Sequence, residues 1–381
     1  TEAAQTLRTA INGQALARTH ADSIDFGEAL EYARNTGLAG LLALNFQQRA
    51  ARLKALAKCL LERKETLYAI SAHTGATRAD SWIDIEGGAG TLYAYASMGS
   101  GELPSSNIVH EGPALPLGKK GGFAGTHILV PRRGVAVHIN AFNFPVWGML
   151  EKLSTSFLAG VPTIAKPATV TSFLAEAVAR AMIESEILPA GSFQFICGST
   201  GDLLDRLGGQ DSVAFTGSAS TGLMLRGTKA ILENNVRFNQ EADSLNFSML
   251  GPDAAPGTEE FDLFVKEVAR EMTVKAGQKC TAIRRTFVPE HLVDAVSGAL
   301  GKRLAGVKIG DPAVEGVRMG PLAGRAQVLE VRANVETLSL ATELVYGGPA
   351  TLDLVGADAE QGAFYPTMLL YDDKPFERTQ P

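Results

Sequence analysis

The chain has 381 residues and a formal net charge of −6, with 45% hydrophobic and 20% charged residues. This apolar content excludes global disorder, because it can offset the entropy lost when the chain becomes ordered. The slight acidity lacks the clustered basic excess of nucleic-acid-binding proteins. No apolar run reaches the roughly 18 residues that a transmembrane helix needs. We therefore expect a cytoplasmic protein of two or three domains that binds neither nucleic acid nor membrane.

The first quarter of the chain has helical spacing. Residues 27–71 are predicted to be mostly helical, and an amphipathic surface helix is indicated by four leucines on one face: Leu53, Leu56, Leu60 and Leu67. The stretch 103–125 that follows is rich in Pro, Gly, Ser and Lys and is predicted to be a loop or an extended arm.

Short β-rich runs alternate with helical stretches between residues 133 and 237. The predicted strands are Val135–Ile139, Val161–Ala165, Phe193–Ile196 and Ser212–Phe215. This alternation predicts right-handed crossovers and an α/β fold with a doubly wound parallel sheet. Ligands bind beyond the carboxyl ends of such strands, so the residues after each strand are the candidates for chemistry. A later helix is predicted from about Glu259 to Lys275.

Several polar residues follow the predicted strands. Asn143 is either a loop residue bonded to nearby backbone or an amide donor aimed at an oxyanion. Lys166 is either solvated or in contact with a ribose or phosphate. The segment Phe215–Gly222 is either an ordinary turn or a backbone approach to a phosphate. Glu241, by default, is a surface carboxylate.

The three cysteines are far apart in the sequence. Cys59 and Cys197 fit packing positions, whereas Cys280 lies in a Gly-containing turn after a helix and is either a packing residue or a reactive thiol. Their odd number and the lack of a CxxC pair argue against a disulfide framework or a structural zinc site, so we expect no metal.

Together, the motifs AFNFP, KPAT, FTGSxxxG, Glu241 and GQKC follow the order and approximate spacing of the aldehyde dehydrogenase superfamily, which the chain resembles over nearly its whole length. Longer stretches, such as AHTGATRADSWIDIEGG and HINAFNFPVWGMLEKL, resemble the aldehyde dehydrogenase domain of the bifunctional ring-opening enzyme of phenylacetate degradation. The semialdehyde dehydrogenase of aerobic benzoyl-CoA degradation shares several of these stretches and is the alternative.

The resemblance implies a mechanism through three residues. The Cys280 thiolate attacks the aldehyde to give a thiohemiacetal, which is oxidised to a thioester. The side chain of Asn143 and the backbone N–H of Cys280 hold the oxyanion. Glu241 activates water, and its presence favours a free acid product over transfer to coenzyme A.

The resemblance also implies the cofactor site. Lys166 matches the site for the adenosine ribose, and Gly217 and Ser218 match the site for the pyrophosphate. Thr169 stands where many NAD-preferring relatives carry Glu, so NADP is expected over NAD.

The implied architecture is an NADP-binding domain at residues 1–241, with an oligomerisation arm at about 111–132, and a catalytic domain at 242–381. We therefore expect a homo-oligomer, a dimer or higher. An E-x-F-G-P stretch, which holds the nicotinamide ribose in the family, is absent from the sequence, and Glu377 is not assigned that role. The catalytic domain is therefore expected to be truncated at its C-terminus, and no hydratase-like segment is visible within these 381 residues.

The implied substrate is a coenzyme A-thioester semialdehyde. The first expectation is 3-oxo-5,6-dehydrosuberyl-CoA semialdehyde of phenylacetate degradation, and the alternative is 3,4-dehydroadipyl-CoA semialdehyde. Two competing hypotheses are a coenzyme A-acylating dehydrogenase and a non-catalytic scaffold in which Cys280 is inert.

Overall fold

The structure is a computed structural model that describes residues 4–348 and 352–374. Glu377 lies outside these residues. The chain divides into two compact units. The first includes the described residues up to Gln5, Arg18–Leu67 and Ile83–Ala242. The second includes Thr6–Ala17, Tyr68–Trp82 and the described residues from Asp243 onward. The units are thus not contiguous in sequence, and the assignment of cofactor-binding and catalytic roles to 1–241 and 242–381 stays a prediction.

The α-helices are, in chain order, α1 (Phe26–Tyr32), α2 (Leu38–Leu42), α3 (Phe46–Glu62), α4 (Lys64–Ala72), α5 (Arg78–Ser81), α6 (Gly87–Gly101), α7 (Pro145–Leu158), α8 (Ser172–Glu184), α9 (Ala219–Arg226), α10 (Lys229–Glu233), α11 (Glu259–Thr273), α12 (Val293–Ala305) and α13 (Arg325–Ser339). The π-helical turns are Ala33–Gly37 and Trp82–Glu86, and the 3-10 turns are Thr169–Thr171, Leu203–Arg206, Val274–Gly277 and Glu290–Leu292. Within the described residues, no helix combines the length and the apolar character that crossing a membrane requires.

The strands are, in chain order, β1 (Gln5–Arg8), β2 (Ala15–Thr19), β3 (Val109–His110), β4 (Leu115–Pro116), β5 (Ala124–Gly125), β6 (Ile128–Leu129), β7 (Ala136–Ile139), β8 (Thr163–Lys166), β9 (Phe193–Phe195), β10 (Ser212–Gly217), β11 (Arg237–Ala242), β12 (Phe247–Met249), β13 (Arg285–Phe287), β14 (Ile309–Gly310), β15 (Glu343–Gly347), β16 (Leu354–Val355) and β17 (Met368–Tyr371).

The first unit is built on a parallel sheet with the order β11-β10-β7-β8-β9. Helix α7 connects β7 to β8 and helix α8 connects β8 to β9, so the predicted doubly wound α/β sheet is confirmed. In this register Ile139 at the end of β7 lies beside Lys166 of β8 and beside Phe215 of β10. The carboxyl ends of three neighbouring strands therefore meet at one edge of the sheet, where the chain also changes direction from β8 on one side of β7 to β10 on the other.

The two faces of β7 bury different side chains. Val137 and Ile139 point into an apolar cluster, as the period of two in a strand requires. His138 points to the opposite face, where its Nε2 lies 3.0 Å from Ser156 Oγ on α7. The sheet is thus covered on the side that carries α7, and a histidine is enclosed there at 2% exposure.

In the second unit, α11 packs through its apolar stripe against α12. Thr258 caps α11, since its Oγ1 accepts the Phe261 N–H at 3.3 Å. The sequence predicts that this helix continues to Lys275, but it ends at Thr273. It ends there because Lys275 and Ala276 both have φ of +52°, in the left-handed region.

The prediction of one helix that carries all four leucines is wrong. The four leucines do not share one helix, because α3 ends at Glu62 and Leu67 lies on α4. Leu53, Leu56 and Leu60 are all on α3 and are almost completely buried.

The segment 103–132 covers the predicted loop or extended arm at 103–125 and the predicted oligomerisation arm at about 111–132. It contains short antiparallel pairs, β3 with β6 and β4 with β5. Several of its large apolar side chains are exposed: Leu115, Leu117, Phe123, Ile128, Leu129 and Val130. Its role in oligomerisation stays a prediction.

Candidate active site

A cavity of about 280 Å³ lies in the first unit, beside the carboxyl ends of β7 and β8. Its lining residues are Gln5, Thr19, His20, Ile139, Lys166, Thr169, Gly198, Ser199, Thr200, Thr221, Met224 and Leu225. The cavity thus contains two of the predicted cofactor residues, Lys166 and Thr169.

The chemistry of this lining fits a dinucleotide. Lys166 supplies a cation, and Thr221 lies in the first turn of α9, where backbone N–H groups and the helix dipole favour an anion. Ile139 and Met224 supply apolar surface for a flat ring. None of the described lining residues is acidic. The described lining therefore supplies no carboxylate that would repel a phosphate near Thr169.

The other two predicted cofactor residues are not brought into this cavity. Gly217 is the last residue of β10, and Ser218 is the N-cap of α9, whose Oγ accepts the Thr221 N–H at 3.3 Å. Among the described lining residues Thr221 is present and Gly217 and Ser218 are not. Their contact with a pyrophosphate stays a prediction.

Glu241 lies on β11, a strand that the sequence patterns do not indicate. It pairs in register with Thr216 of β10, and the Thr216 Oγ1 donates to Glu241 Oε2 at 3.3 Å. The Glu241 side chain is exposed. The carboxylate is therefore available to solvent near the carboxyl end of β10, with one hydroxyl that orients it.

A lysine that sequence reasoning missed interacts with Glu241. Burial lowers the pKa of Lys152 on α7, while the charges of Glu151 and Glu241 act in the opposite direction and raise it. Burial, and to a lesser degree the charge of Lys152, lowers the pKa of His138 to about 3. Lys152 therefore lies within electrostatic reach of both Glu241 and an imidazole that stays neutral. The available signal was the adjacent pair Glu151 and Lys152, the only charged residues of α7.

Asn143 lies in the loop between β7 and α7. Its Oδ1 accepts the Phe144 N–H at 3.0 Å, which makes Nδ2 the end of the amide that can donate to another group. The loop is tied to the start of α8, because Thr171 Oγ1 donates to the Phe142 carbonyl at 3.0 Å. The half-buried Asn143 amide is thus held by local bonds, as an oxyanion donor must be.

The helix that follows this loop is capped by a distant carboxylate. Helix α7 begins at Pro145 after Phe144, which provides no side-chain cap. Asp84 is 3% exposed, and its Oδ1 accepts the N–H groups of Val146 at 3.1 Å and of Trp147 at 2.8 Å. A charged acceptor at a helix N-terminus satisfies backbone donors and complements the helix dipole.

Cys280 is exposed and lies in the second unit, seven residues after α11 ends. The turn that leads to it contains Lys275, Ala276 and Gly277, with φ of +52°, +52° and +73°. For a residue with a side chain, this conformation costs roughly 1–2 kcal/mol. Two such residues in succession persist only where surrounding contacts hold them.

Side chains on both sides of the turn supply these contacts. Gln278 Nε2 donates to the Lys275 carbonyl at 2.9 Å, and its Oε1 accepts the Ala323 N–H at 3.0 Å. Lys279 Nζ contacts both carboxylate oxygens of Glu271, at 2.7 and 2.8 Å.

The backbone at Cys280 is anchored as well. Asn246 Nδ2 donates to the carbonyls of Cys280 and Ala282, and Arg284 Nη2 donates to the Lys279 carbonyl at 3.1 Å. The thiol is therefore presented to solvent from a fixed main chain.

The other two cysteines are in different surroundings. Cys197 is half-buried, and burial raises the pKa of its thiol, with a hydrogen bond from Ser172 acting in the opposite direction. Cys59 is also half-buried, and Arg63 Nη1 lies 2.5 Å from its sulfur. Of the three cysteines, Cys280 is the one that is exposed.

Comparisons with known proteins agree with this fold. The sequence profile described as "Aldehyde dehydrogenase family" matches residues 3–379. A 3,4-dehydroadipyl-CoA semialdehyde dehydrogenase of Aromatoleum evansii is 46% identical over 365 residues, which cover 96% of this chain and 71% of that protein.

Two solved structures show the same fold. Betaine aldehyde dehydrogenase of Staphylococcus aureus in complex with NAD⁺ has a TM-score of 0.82 at 19% identity, covering 96% of this chain and 70% of the other. Lactaldehyde dehydrogenase has a TM-score of 0.81 at 21% identity, covering 97% and 74%. The aldehyde dehydrogenase fold expected from the sequence is confirmed, and the chain belongs to the aldehyde dehydrogenase family.

Proposed function

We propose that this protein oxidises a semialdehyde carried on coenzyme A to the free acid, with NADP⁺ as the hydride acceptor. The observation that carries the proposal is the 46% identity, over 96% of the chain, to a relative named for 3,4-dehydroadipyl-CoA semialdehyde. The exposed thiol of Cys280 and the carboxylate of Glu241 supply the two groups that such an oxidation needs.

The chemistry is assigned to three side chains. The Cys280 thiolate forms a bond to the carbonyl carbon, and the oxyanion accepts hydrogen bonds from Asn143 Nδ2 and the Cys280 backbone N–H. The bound dinucleotide would supply the acceptor for the hydride of this carbon, and Cys280 would then carry the acyl group as a thioester. Glu241 takes a proton from water, which attacks the thioester and releases the acid and the thiol.

Lys152 is proposed to assist Glu241. Its lowered pKa and its electrostatic interaction with the carboxylate suit it to stabilise the ionised base or to receive its proton. We assign the adenosine end of the cofactor to the cavity that Lys166 and Thr169 line, with Gly217 and Ser218 at the pyrophosphate.

Two substrates are candidates within this class. The named relative supports 3,4-dehydroadipyl-CoA semialdehyde. The motif resemblance to the phenylacetate enzyme supports the longer 3-oxo-5,6-dehydrosuberyl-CoA semialdehyde. We place the adipyl compound first, because its support is an identity over nearly the whole chain.

The test follows NADPH absorbance with the purified protein, each of the two CoA semialdehydes and a free medium-chain aldehyde, beside a Cys280→Ala control. We expect turnover with a CoA semialdehyde, loss of turnover in the control, and a free acid as the product by mass spectrometry. A requirement for added coenzyme A would instead identify an acylating dehydrogenase. A non-catalytic scaffold would give no NADPH, and Cys280 would alkylate no faster than Cys59 and Cys197.

A further inference from the structure

A lysine is buried in the turn that leads to the candidate nucleophile. Lys275 is 3% exposed, although a lysine ammonium is costly to remove from water. It also has a φ of +52°, which side-chain-bearing residues rarely adopt. Lys275 thus combines a buried ammonium with a left-handed backbone, five positions before Cys280. Two such unfavourable features persist at one residue only where surrounding contacts hold it.

Both polar ends of Lys275 are bonded to buried side chains. Its Nζ donates to Thr74 Oγ1 at 2.9 Å, and its backbone N–H donates to Asp80 Oδ1 at 2.8 Å. Thr74 and Asp80 are 1% and 2% exposed. One hydrogen bond thus holds the main chain of Lys275 and another holds its ammonium. Together they fix the backbone and side-chain torsions of the residue.

These partners are themselves fixed. Thr74 Oγ1 donates to the Ser71 carbonyl at 2.7 Å. Asp80 Oδ2 accepts the backbone N–H of Thr77 at 2.9 Å and its hydroxyl at 2.8 Å, in the capping box that begins α5. Lys275 is therefore attached to a rigid part of its own unit.

Hydrogen bonds connect Lys275 to the residues immediately before Cys280. The Lys275 carbonyl accepts both the backbone N–H of Gln278 at 3.1 Å and its side-chain amide at 2.9 Å. The Lys279 N–H then donates to the Gly277 carbonyl at 2.9 Å. A rotation at Lys275 would consequently move the residues immediately before the thiol.

We propose that Lys275 is a positioning residue: bonded to Thr74 and Asp80, it holds the left-handed turn that fixes the Cys280 thiol and backbone N–H in their reactive orientation. This inference rests on the proposed role of Cys280 as the nucleophile. Lys275 contacts neither substrate nor cofactor in this role, and it acts through the main chain.

The test uses Lys275→Met, which removes the ammonium and keeps the backbone N–H that binds Asp80. Lys302→Met, on the exposed side of α12, makes the same chemical change at a surface of the same unit. We expect kcat of Lys275→Met to fall roughly 10- to 100-fold with KM changed less than about twofold, because misplacement of a reacting group has effects of this size. Lys302→Met should keep the kcat of the wild type.

Thr74→Val and Thr74→Ser separate positioning from a loss of folding. The serine keeps the hydroxyl and should keep kcat, while the valine should lose as much kcat as Lys275→Met. The double variant Lys275→Met/Thr74→Val should be no slower than either single variant, because each substitution removes the same hydrogen bond between Lys275 Nζ and Thr74 Oγ1. Circular dichroism and thermal midpoints establish that each compared variant is folded. Equal kcat in folded Thr74→Val and Thr74→Ser, or additive losses in the double variant, would overturn the proposal.

A second readout needs neither aldehyde nor cofactor. Iodoacetamide labelling, followed by mass spectrometry, should show Cys280 alkylating about threefold or more slowly in Lys275→Met, with Cys197 as the internal reference. Equal Cys280 rates in the two proteins overturn the positioning role, even if the wild type oxidises a semialdehyde. Failure of the proposed function has a different signature: no oxidation by the wild type and no preferential labelling of Cys280.

Discussion

Removal of the Asp84 carboxylate should destabilise the start of α7 and, with it, the loop that carries Asn143. Asp84 accepts the N–H groups of Val146 and Trp147 from a position that is 3% exposed. In Asp84→Ala both donors lose this acceptor, and a buried unsatisfied donor costs about 1–3 kcal/mol, so the two together cost roughly 2–6 kcal/mol. Asp84→Asn keeps a carbonyl acceptor and loses the charge that faces the helix dipole, which costs about 0.3–2 kcal/mol.

Trp147 provides a local probe for this prediction. The sequence has two tryptophans, so a Trp82→Phe background leaves Trp147 alone to report on the helix. Urea unfolding followed by its fluorescence should rank wild type, Asp84→Asn and Asp84→Ala in order of decreasing midpoint. Asp205→Ala, which removes an exposed carboxylate from the same unit, is the matched control. An alanine variant within about 1 kcal/mol of wild type, or an asparagine variant as unstable as the alanine variant, would refute the capping argument.

Three further predictions concern single residues. Glu241→Gln should leave a rapid first turnover on Cys280 and slow the subsequent release of acid about 10²- to 10⁴-fold, because the amide cannot take a proton. Stopped-flow NADPH absorbance measures both phases. An unchanged steady-state rate would show that Glu241 is not the base. Thr169→Glu should lower the NADP⁺/NAD⁺ ratio of kcat/KM at least about tenfold, by adding a carboxylate to the cavity lining that repels a 2′-phosphate; a constant ratio would contradict the assignment. His138, whose pKa burial lowers to about 3, stays neutral in the folded protein while the unfolded chain protonates it near pH 6.5. Stability should therefore fall by up to roughly 1.4 kcal/mol per pH unit below pH 6.5, and His138→Gln should reduce this slope between pH 7 and pH 5 in urea titrations; equal slopes would show that the imidazole does not titrate in this way.

Much of the sheet is visible in the sequence, because its inner strands are short apolar runs. Val135 to Ile139 is such a run, and the structure has β7 there at Ala136–Ile139. Strand β11 was missed, since its residues are mostly polar and exposed and its pattern carries little apolar alternation. A strand at the end of a sheet buries fewer side chains, so hydrophobic periodicity indicates it poorly.

The sequence proposes the candidate site residues by their type and order, whereas it does not indicate the contacts that support them. Nothing local to Lys275 and Ala276 indicates the left-handed region, since neither is the Gly or Asn that this region favours. Lys275 is bonded to Asp80 and Thr74, which lie 195 and 201 residues earlier in the chain. The burial that lowers the pKa of Lys152 is likewise a property of packing, which periodicity alone does not report.

The position of Glu241 has a consequence for how activity is lost. Among the described strands β11 ends the sheet order and is hydrogen-bonded to β10 alone, whereas β8, which carries Lys166, lies between two neighbours. An outermost strand can open locally at a lower free energy than the interior of the sheet. Mild heat or denaturant should therefore detach the carboxylate while the cavity beside β7 and β8 remains intact. In the proposed mechanism, a protein in that state would still bind its cofactor and form the acyl intermediate, but the intermediate would persist on Cys280 as an unhydrolysed thioester.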